Sequence, residues 1–138
     1  AQGVNVGTRF LASVEAEIAQ GWKEMIVASG SADVMKLNAW NAIYPPAPGE
    51  YATVPTVIRT PFAERVQAAW QAGTLDIEEM RREVAAAAAA GRLYELVAMS
   101  GQSVGLIDAI LPVDEIIRHM TAVAANALRS AAAAVVQA

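Results

Sequence analysis

The 138-residue chain contains no cysteine. Disulfides, thiolate nucleophiles and thiolate metal sites are therefore excluded, while the redox compartment stays open. Histidine occurs once, at His119. One histidine without convergent carboxylates falls short of what metal ligation needs. Basic residues are the minority: 10 Lys and Arg stand against 14 Asp and Glu, for a net charge of −4. With no basic stripe, neither nucleic acid nor an anionic membrane surface is expected as a partner. Clean apolar runs of about 20 residues are also missing, since Arg129 interrupts the stretch from His119 to Ala138. No membrane span is expected. Ala1-Gln2-Gly3 lacks the basic and apolar regions of a signal peptide, so the expected location is cytoplasmic.

What the chain has in excess is apolar residues, 55% of the total. Much of this is Ala, which raises helix propensity more than burial. The length suffices for one domain with a core. The opening ten residues carry the first pattern. Val4 and Val6 point one way and Asn5 the other, the period of a strand. Gly7 and Thr8 are expected to end it. A strand finishing in Gly-Thr before a helix suits phosphate, because Gly lets an anionic oxygen approach the backbone. The Gly7 and Thr8 amides and the Thr8 hydroxyl are then the donors. The plain alternative is a simple turn.

Helices dominate the rest. Ser13 is a candidate N-cap for a helix with Val14, Ile18, Trp22 and Met25 on one face. Gly21 weakens that helix, which is expected to stop near Ser29-Gly30 with the glycine as C-cap. The stretch from Asp33 to Pro61 is the least regular. Three prolines in Tyr44-Pro-Pro-Ala-Pro-Gly49 block helix and central strand alike. Val34, Met35 and Leu37 suit a short strand or a helical turn, and Tyr51 to Arg59 suits extended edge structure. Thr60-Pro61 opens a helix with Phe62, Val66, Ala69 and Trp70 inward, and Gly73 ends it. Asp76 and Glu79 form a capping box for the next helix, with Ile77, Met80 and Val84 inward and Gly91 as the stop. Leu93, Leu96 and Val97 make a short helix that ends in the polar turn Met99 to Ser103. Ser103 then caps a turn with Leu106, Ile107 and Ile110 inward. Pro112 starts a last helix whose face is Ile116, Ile117, Met120, Val123, Ala124, Ala127 and Leu128.

Two separated segments carry a family resemblance. Gly3-Val-Asn-Val-Gly-Thr-Arg-Phe-Leu-Ala12 resembles the last barrel strand of the nitronate monooxygenase (2-nitropropane dioxygenase) family of FMN enzymes, which is related to FMN-dependent enoyl reductases. The family usually has Gln-Met where this chain has Asn5-Val6. Ser100-Gly-Gln-Ser-Val-Gly-Leu-Ile107, with Pro112 beyond, is similar to a second family segment. Val57-Ile-Arg-Thr-Pro-Phe62 also looks like family sequence. The matches cover both ends of the chain well and its middle loosely.

The resemblance implies an α/β fold: the C-terminal part of a (β/α)8 TIM barrel, with a mainly helical C-terminal region. A complete barrel takes about 250 residues, so the chain is expected to be part of a longer enzyme and predominantly α by itself. The implied division is 1–30 for the last strand and its helix, 31–60 for a loop over the cofactor face, and 61–138 for the helical region. The implied cofactor is FMN. Gly7 and Thr8, with Asn5 on the same face, would hold its phosphate, and Gly101 and Gln102 would flank its ring. The implied activity is oxidation of alkyl nitronates with O2. The alternatives are NAD(P)H-dependent reduction of an enoyl thioester, or a non-catalytic helical fragment. The partners implied are a small-molecule substrate and an N-terminal remainder of the barrel, with homo-oligomerisation open.

The remaining candidates have bland readings. Asn5 can equally bridge strands. Arg9 is expected to be solvated or paired with Glu15, with screening of the phosphate charge as the functional alternative. His119 matches no family motif and reads as a surface residue, the family's catalytic histidine being upstream. Trp22 and Trp70 read as core, and Trp40, Tyr44 and Tyr51 as pocket-lining. Glu78 and Arg82 are spaced for a helical ion pair.

Overall fold

The structure, a computed structural model, describes residues 6–136. It is 60% helical with two short strands, so the predominance of helix holds. Val4 and Asn5 of the expected opening strand lie outside the described residues. Val6 is not in a strand, and Gly7 is already the first residue of helix α1 (Gly7–Leu11). Gly7 and Thr8 thus begin a helix instead of ending a strand. The described residues form no barrel; they are compatible with a piece of an α/β fold.

The helix expected from Ser13 begins later, as α2 (Gln20–Ala28). Residues 12–19 are held by long-range bonds instead. Val14 N–H donates to Leu111 O at 3.0 Å, and Leu111 N–H returns a bond to Ala12 O at 3.4 Å. Ser13 does accept from Ala16 N–H at 3.2 Å, a cap-like bond with no helix behind it. Glu15 is spent elsewhere: both carboxylate oxygens accept from Val113 N–H, at 3.0 and 3.1 Å. This satisfies an orphan donor at the start of the last helix. Val14 is consequently exposed. Lys23 is buried, and its Nζ donates to Val14 O at 3.1 Å, fastening the same segment. Ser29, not Gly30, caps α2, in extended conformation.

The expected irregular stretch contains β1 (Val34–Lys36), α3 (Trp40–Ile43) and β2 (Thr56–Ile58). The strands pair antiparallel, with Val34 opposite Ile58 and Met35 opposite Val57. A third extended segment joins β2: Ile58 N–H donates to Ala98 O and Ser100 N–H to Thr56 O, each at 2.9 Å. This ribbon divides the core. Alternate residues of a strand face opposite sides. Val57 accordingly joins Leu37, Ile43, Phe62, Val66 and Met80 in one apolar cluster. Val34 and Ile58 join Ala12, Ile26, Ala98, Val104 and Ile107 in the other.

The first cluster is closed by α4 (Pro61–Ala72), α5 (Ile77–Ala89) and α6 (Leu93–Leu96). Their cap positions fall as expected, with the Asp76–Glu79 capping box made in one direction only, from the Glu79 amide to the Asp76 carboxylate. Thr60 Oγ1 accepts from Ala63 N–H at 3.0 Å with Pro61 at the first position, and Asp76 accepts from Glu79 N–H at 2.9 Å. Both Gly73 and Gly91 have left-handed φ, of 70° and 68°. After Gly73, Thr74 N–H bonds Ala69 O; after Gly91, Arg92 N–H bonds Ala87 O. This is the Schellman pattern, which satisfies the last carbonyls of a helix. Trp70 is not core: it is 45% exposed, because Phe62 and Val66 define the buried side of α4. Glu78 pairs with Arg81 rather than Arg82, and Arg65 forks onto Glu83 at 2.9 and 2.7 Å.

A 3-10 turn over Gln102–Leu106 follows, capped by Gly101 rather than Ser103. Its Leu106 is 84% exposed and not inward, while Ile107 is buried. The last helix, α7 (Val113–Val136), is the longest. Ile116 is buried, but Ile117, Val123 and Leu128 of its expected apolar face are exposed. No helix among the described residues is long and apolar enough to cross a membrane.

Candidate functional site

The third extended segment ends at Ser100 and delivers Gly101 to the start of α1. There Thr8 Oγ1 accepts from Gly101 N–H at 3.0 Å, across 93 residues of sequence. A Cβ on Gly101 would lie 3.6 Å from Thr8 Oγ1 and 3.8 Å from Ser103 Oγ, ordinary contact distances. The glycine is therefore not required for space on that side.

Around this contact is a shallow cleft of about 460 Å³, walled by Gly7, Thr8, Leu11, Thr56, Ser100 and Gly101, with Pro55 and Met99. Three of the five candidate cofactor residues, Gly7, Thr8 and Gly101, meet in it. Asn5 lies outside the described residues. Gln102 is not in the cleft. It lines a separate hollow with Val34, Lys36 and Thr56, and its backbone oxygen accepts from Ser31 Oγ at 2.8 Å.

The donors available in the cleft differ from those expected. The Gly101 amide is occupied by Thr8. The Thr8 hydroxyl uses a lone pair there and keeps its own hydrogen for another acceptor. Ser100 is buried, and its Oγ has no hydrogen-bond partner among the described residues. A buried hydroxyl without a partner carries a desolvation penalty. Among the described residues no lysine or arginine lines the cleft.

Pro55 and Met99 are shared with a neighbouring hollow of about 240 Å³ that includes Trp40, Tyr44 and Tyr51. The three aromatics expected to line a pocket therefore do so. Trp40 and Tyr44 pack in a tilted pair with 4.9 Å between ring centroids and 43° between planes, within the range of favourable aromatic pairs.

Arg9 departs from expectation. It is half-buried, and Nη1 donates to Ala109 O at 2.7 Å instead of pairing with Glu15. Burial pulls the guanidinium below its ordinary pKa, and the nearby Asp108 carboxylate pushes it back up. Arg9 stands in the last turn of α1. His119 is exposed on α7, as expected. No metal-holding group of side chains occurs among the described residues.

Sequence reasoning named Ser100 only as part of a turn and gave Thr56 no site role. Thr56 had a usable signal, since it follows Pro55 on a β-branched run. The burial of Ser100 is set by its bond to Thr56 O, which has no local signature.

In class, the arrangement is a mainly helical piece of an α/β fold with an uncharged cleft between distant segments. Solved structures supply a counterpart. The chain is similar to FabK from Thermotoga maritima, with 34% identity and a TM-score of 0.63, over 89% of this chain and 38% of that one. It is similar also to the M276A mutant of the same FabK, with 31% identity and a TM-score of 0.59, over 94% of this chain and 36% of that one. The chain thus spans little more than a third of the proteins it matches. No protein-family model matches it. No curated protein matches it.

Proposed function

We propose that the chain is part of an FMN-dependent oxidoreductase of the enoyl-reductase kind, acting on an enoyl thioester with NAD(P)H. The observation that carries this reading is the Thr8–Gly101 contact. It joins the two segments that resemble FMN enzymes, and the likeness to FabK, an FMN-dependent enoyl reductase, extends over 89% of the chain.

The residues fit a cofactor's polar end in part. The free Thr8 hydrogen offers one donor to phosphate or ribityl oxygens. The Gly7 backbone adds close approach. When bound, FMN supplies the redox chemistry. This chain's part is to bind and orient it, with the mixed polar and aromatic Trp40–Tyr44 hollow beside it as a wall of the substrate pocket. Gly101 acts by holding Thr8, and Gln102 has no assigned role at the cofactor. The acid and base come from a remainder of the fold outside this chain, consistent with the 38% coverage.

Oxidation of alkyl nitronates by O2 is the second reading. It is supported by the wording of Gly3-Val-Asn-Val-Gly-Thr-Arg-Phe10. One assay separates the two on material that contains this chain and the remainder. NAD(P)H consumption that requires crotonyl thioester, without turnover of propyl nitronate, supports the first reading. The reverse pattern establishes the second.

A further inference from the structure

The last helix, α7, has 24 residues and is thus about 36 Å long. It is anchored at its base. Val113 N–H is held by Glu15, and Ile116 is buried. From Ile117 to Val135 every side chain is at least partly exposed. That exposed part is not evenly polar. Val113, Ile117, Met120, Ala124, Ala127 and Ala131 recur at alternating steps of four and three, which makes one apolar seam along the helix. Leu128 and Val135, 72% and 77% exposed, flank it. Glu115, Arg118 and Arg129 fall on the opposite side. An apolar strip of this length open to water marks an interaction surface.

The order of sizes along the seam selects what covers it. Its first three residues, Val113, Ile117 and Met120, are large, and its next three are alanines. Turned end for end, the same seam presents Ala131 to Val113, Ala127 to Ile117 and Ala124 to Met120. Each large side chain then lies over a small one, so two such helices approach closely and interdigitate. Parallel pairing would set large against large and alanine against alanine, and would leave a wedge-shaped gap. The antiparallel order also opposes the two helix dipoles and brings no charge into the seam. A partner of other sequence would have to reproduce this gradient, whereas a second copy supplies it through a two-fold axis.

We propose that this face of α7 binds the same face of a second copy of the chain, antiparallel about a two-fold axis near Ala122. The proposal does not rest on the FMN reading, because α7 contributes no residue to the Gly7–Thr8 cleft.

The test has two parts, both on the full 138-residue chain. Sedimentation equilibrium over a wide concentration range should show a monomer–dimer equilibrium. Ala127→Glu puts a charge into the seam and should weaken the dimer at least about a hundredfold. Ala122→Glu adds the same charge to the opposite side and should leave the dimer intact. The direction is read by cross-linking, which is clean because the chain has no cysteine. Ile117→Cys and Ala127→Cys chains, oxidised together, should form the mixed disulfide in preference to either self-pair. In the antiparallel pair like positions lie about 15 Å apart along the axis, too far for a disulfide. A monomer at every concentration, equal weakening by the two glutamates, or a predominance of self-paired disulfides would each overturn the proposal.

Discussion

Thr8 and Gly101 are joined by one hydrogen bond, 3.0 Å from the glycine amide to the threonine hydroxyl oxygen. It ties the first helix to the turn that follows the central ribbon. Thr8→Val keeps the shape and removes the acceptor. The part-buried Gly101 amide is then left unpaired, and we expect a loss of about 1–3 kcal/mol in urea unfolding. Thr8→Ser should recover most of it. Equal stability of Thr8→Val and wild type would show that water replaces the threonine.

Gly105 sits against the 3-10 turn at Ser31–Asp33. A Cβ there would come within 2.6 Å of the Ser31 backbone nitrogen, which no side-chain rotation relieves. Gly105→Ala should therefore destabilise by about 1–3 kcal/mol, as overpacking does. Gly49→Ala is the contrast, since nothing lies within 4 Å of its Cβ position and the strain comes from its φ of 90° alone. Thermal unfolding of both variants measures the difference. A Gly105→Ala protein as stable as wild type would contradict the close approach.

Gln67 is buried on α4, and its Oε1 accepts from Asn38 N–H at 2.8 Å and lies 3.5 Å from Ala39 N. It holds the turn into α3. Gln67→Met preserves the volume and orphans the Asn38 amide, at an expected loss of about 1–3 kcal/mol. Gln67→Glu should be milder, because a carboxylate oxygen still accepts. Hydrogen exchange at Asn38 gives the local readout, and unchanged protection in Gln67→Met would refute the role.

Thr60 has two tasks. Its hydroxyl caps α4 and donates to Leu96 O at 2.6 Å, linking that helix to α6. Thr60→Ala removes both, and we expect at least the loss of a helix cap, about 1–2 kcal/mol. Thr60→Ser should be close to neutral. Chemical denaturation of the pair checks this, and a Ser variant as weak as Ala would shift the effect to the lost methyl group.

These positions also mark where the sequence was legible. Thr60-Pro61, Gly73, Asp76 and Gly91 announced helix ends because capping depends on residues three or four apart. The ribbon was half legible: β-branched residues at Thr56 to Ile58 suggested extension, but the partner strand did not follow from them. Residues 12–19 were misread as helix because Ser13 and Glu15 have good local helix roles. Contacts to Leu111 and Val113, about a hundred positions away, override those roles. Gly7, Thr8 and Gly101 were named from their segments, yet their meeting was not visible in either one. Gln102 was placed with Gly101 by adjacency, and the 3-10 turn carries it out of the cleft. Arg9 was misjudged as solvated because burial is a property of the packed fold.

The central claim, that Thr8 and its neighbours bind a flavin, is tested most directly by titrating FMN into the purified chain and following flavin fluorescence. We predict saturable quenching that weakens at least about tenfold in folded Thr8→Val, the loss of one hydrogen bond to a charged phosphate. Absence of quenching, or quenching that Thr8→Val leaves unchanged, would contradict it.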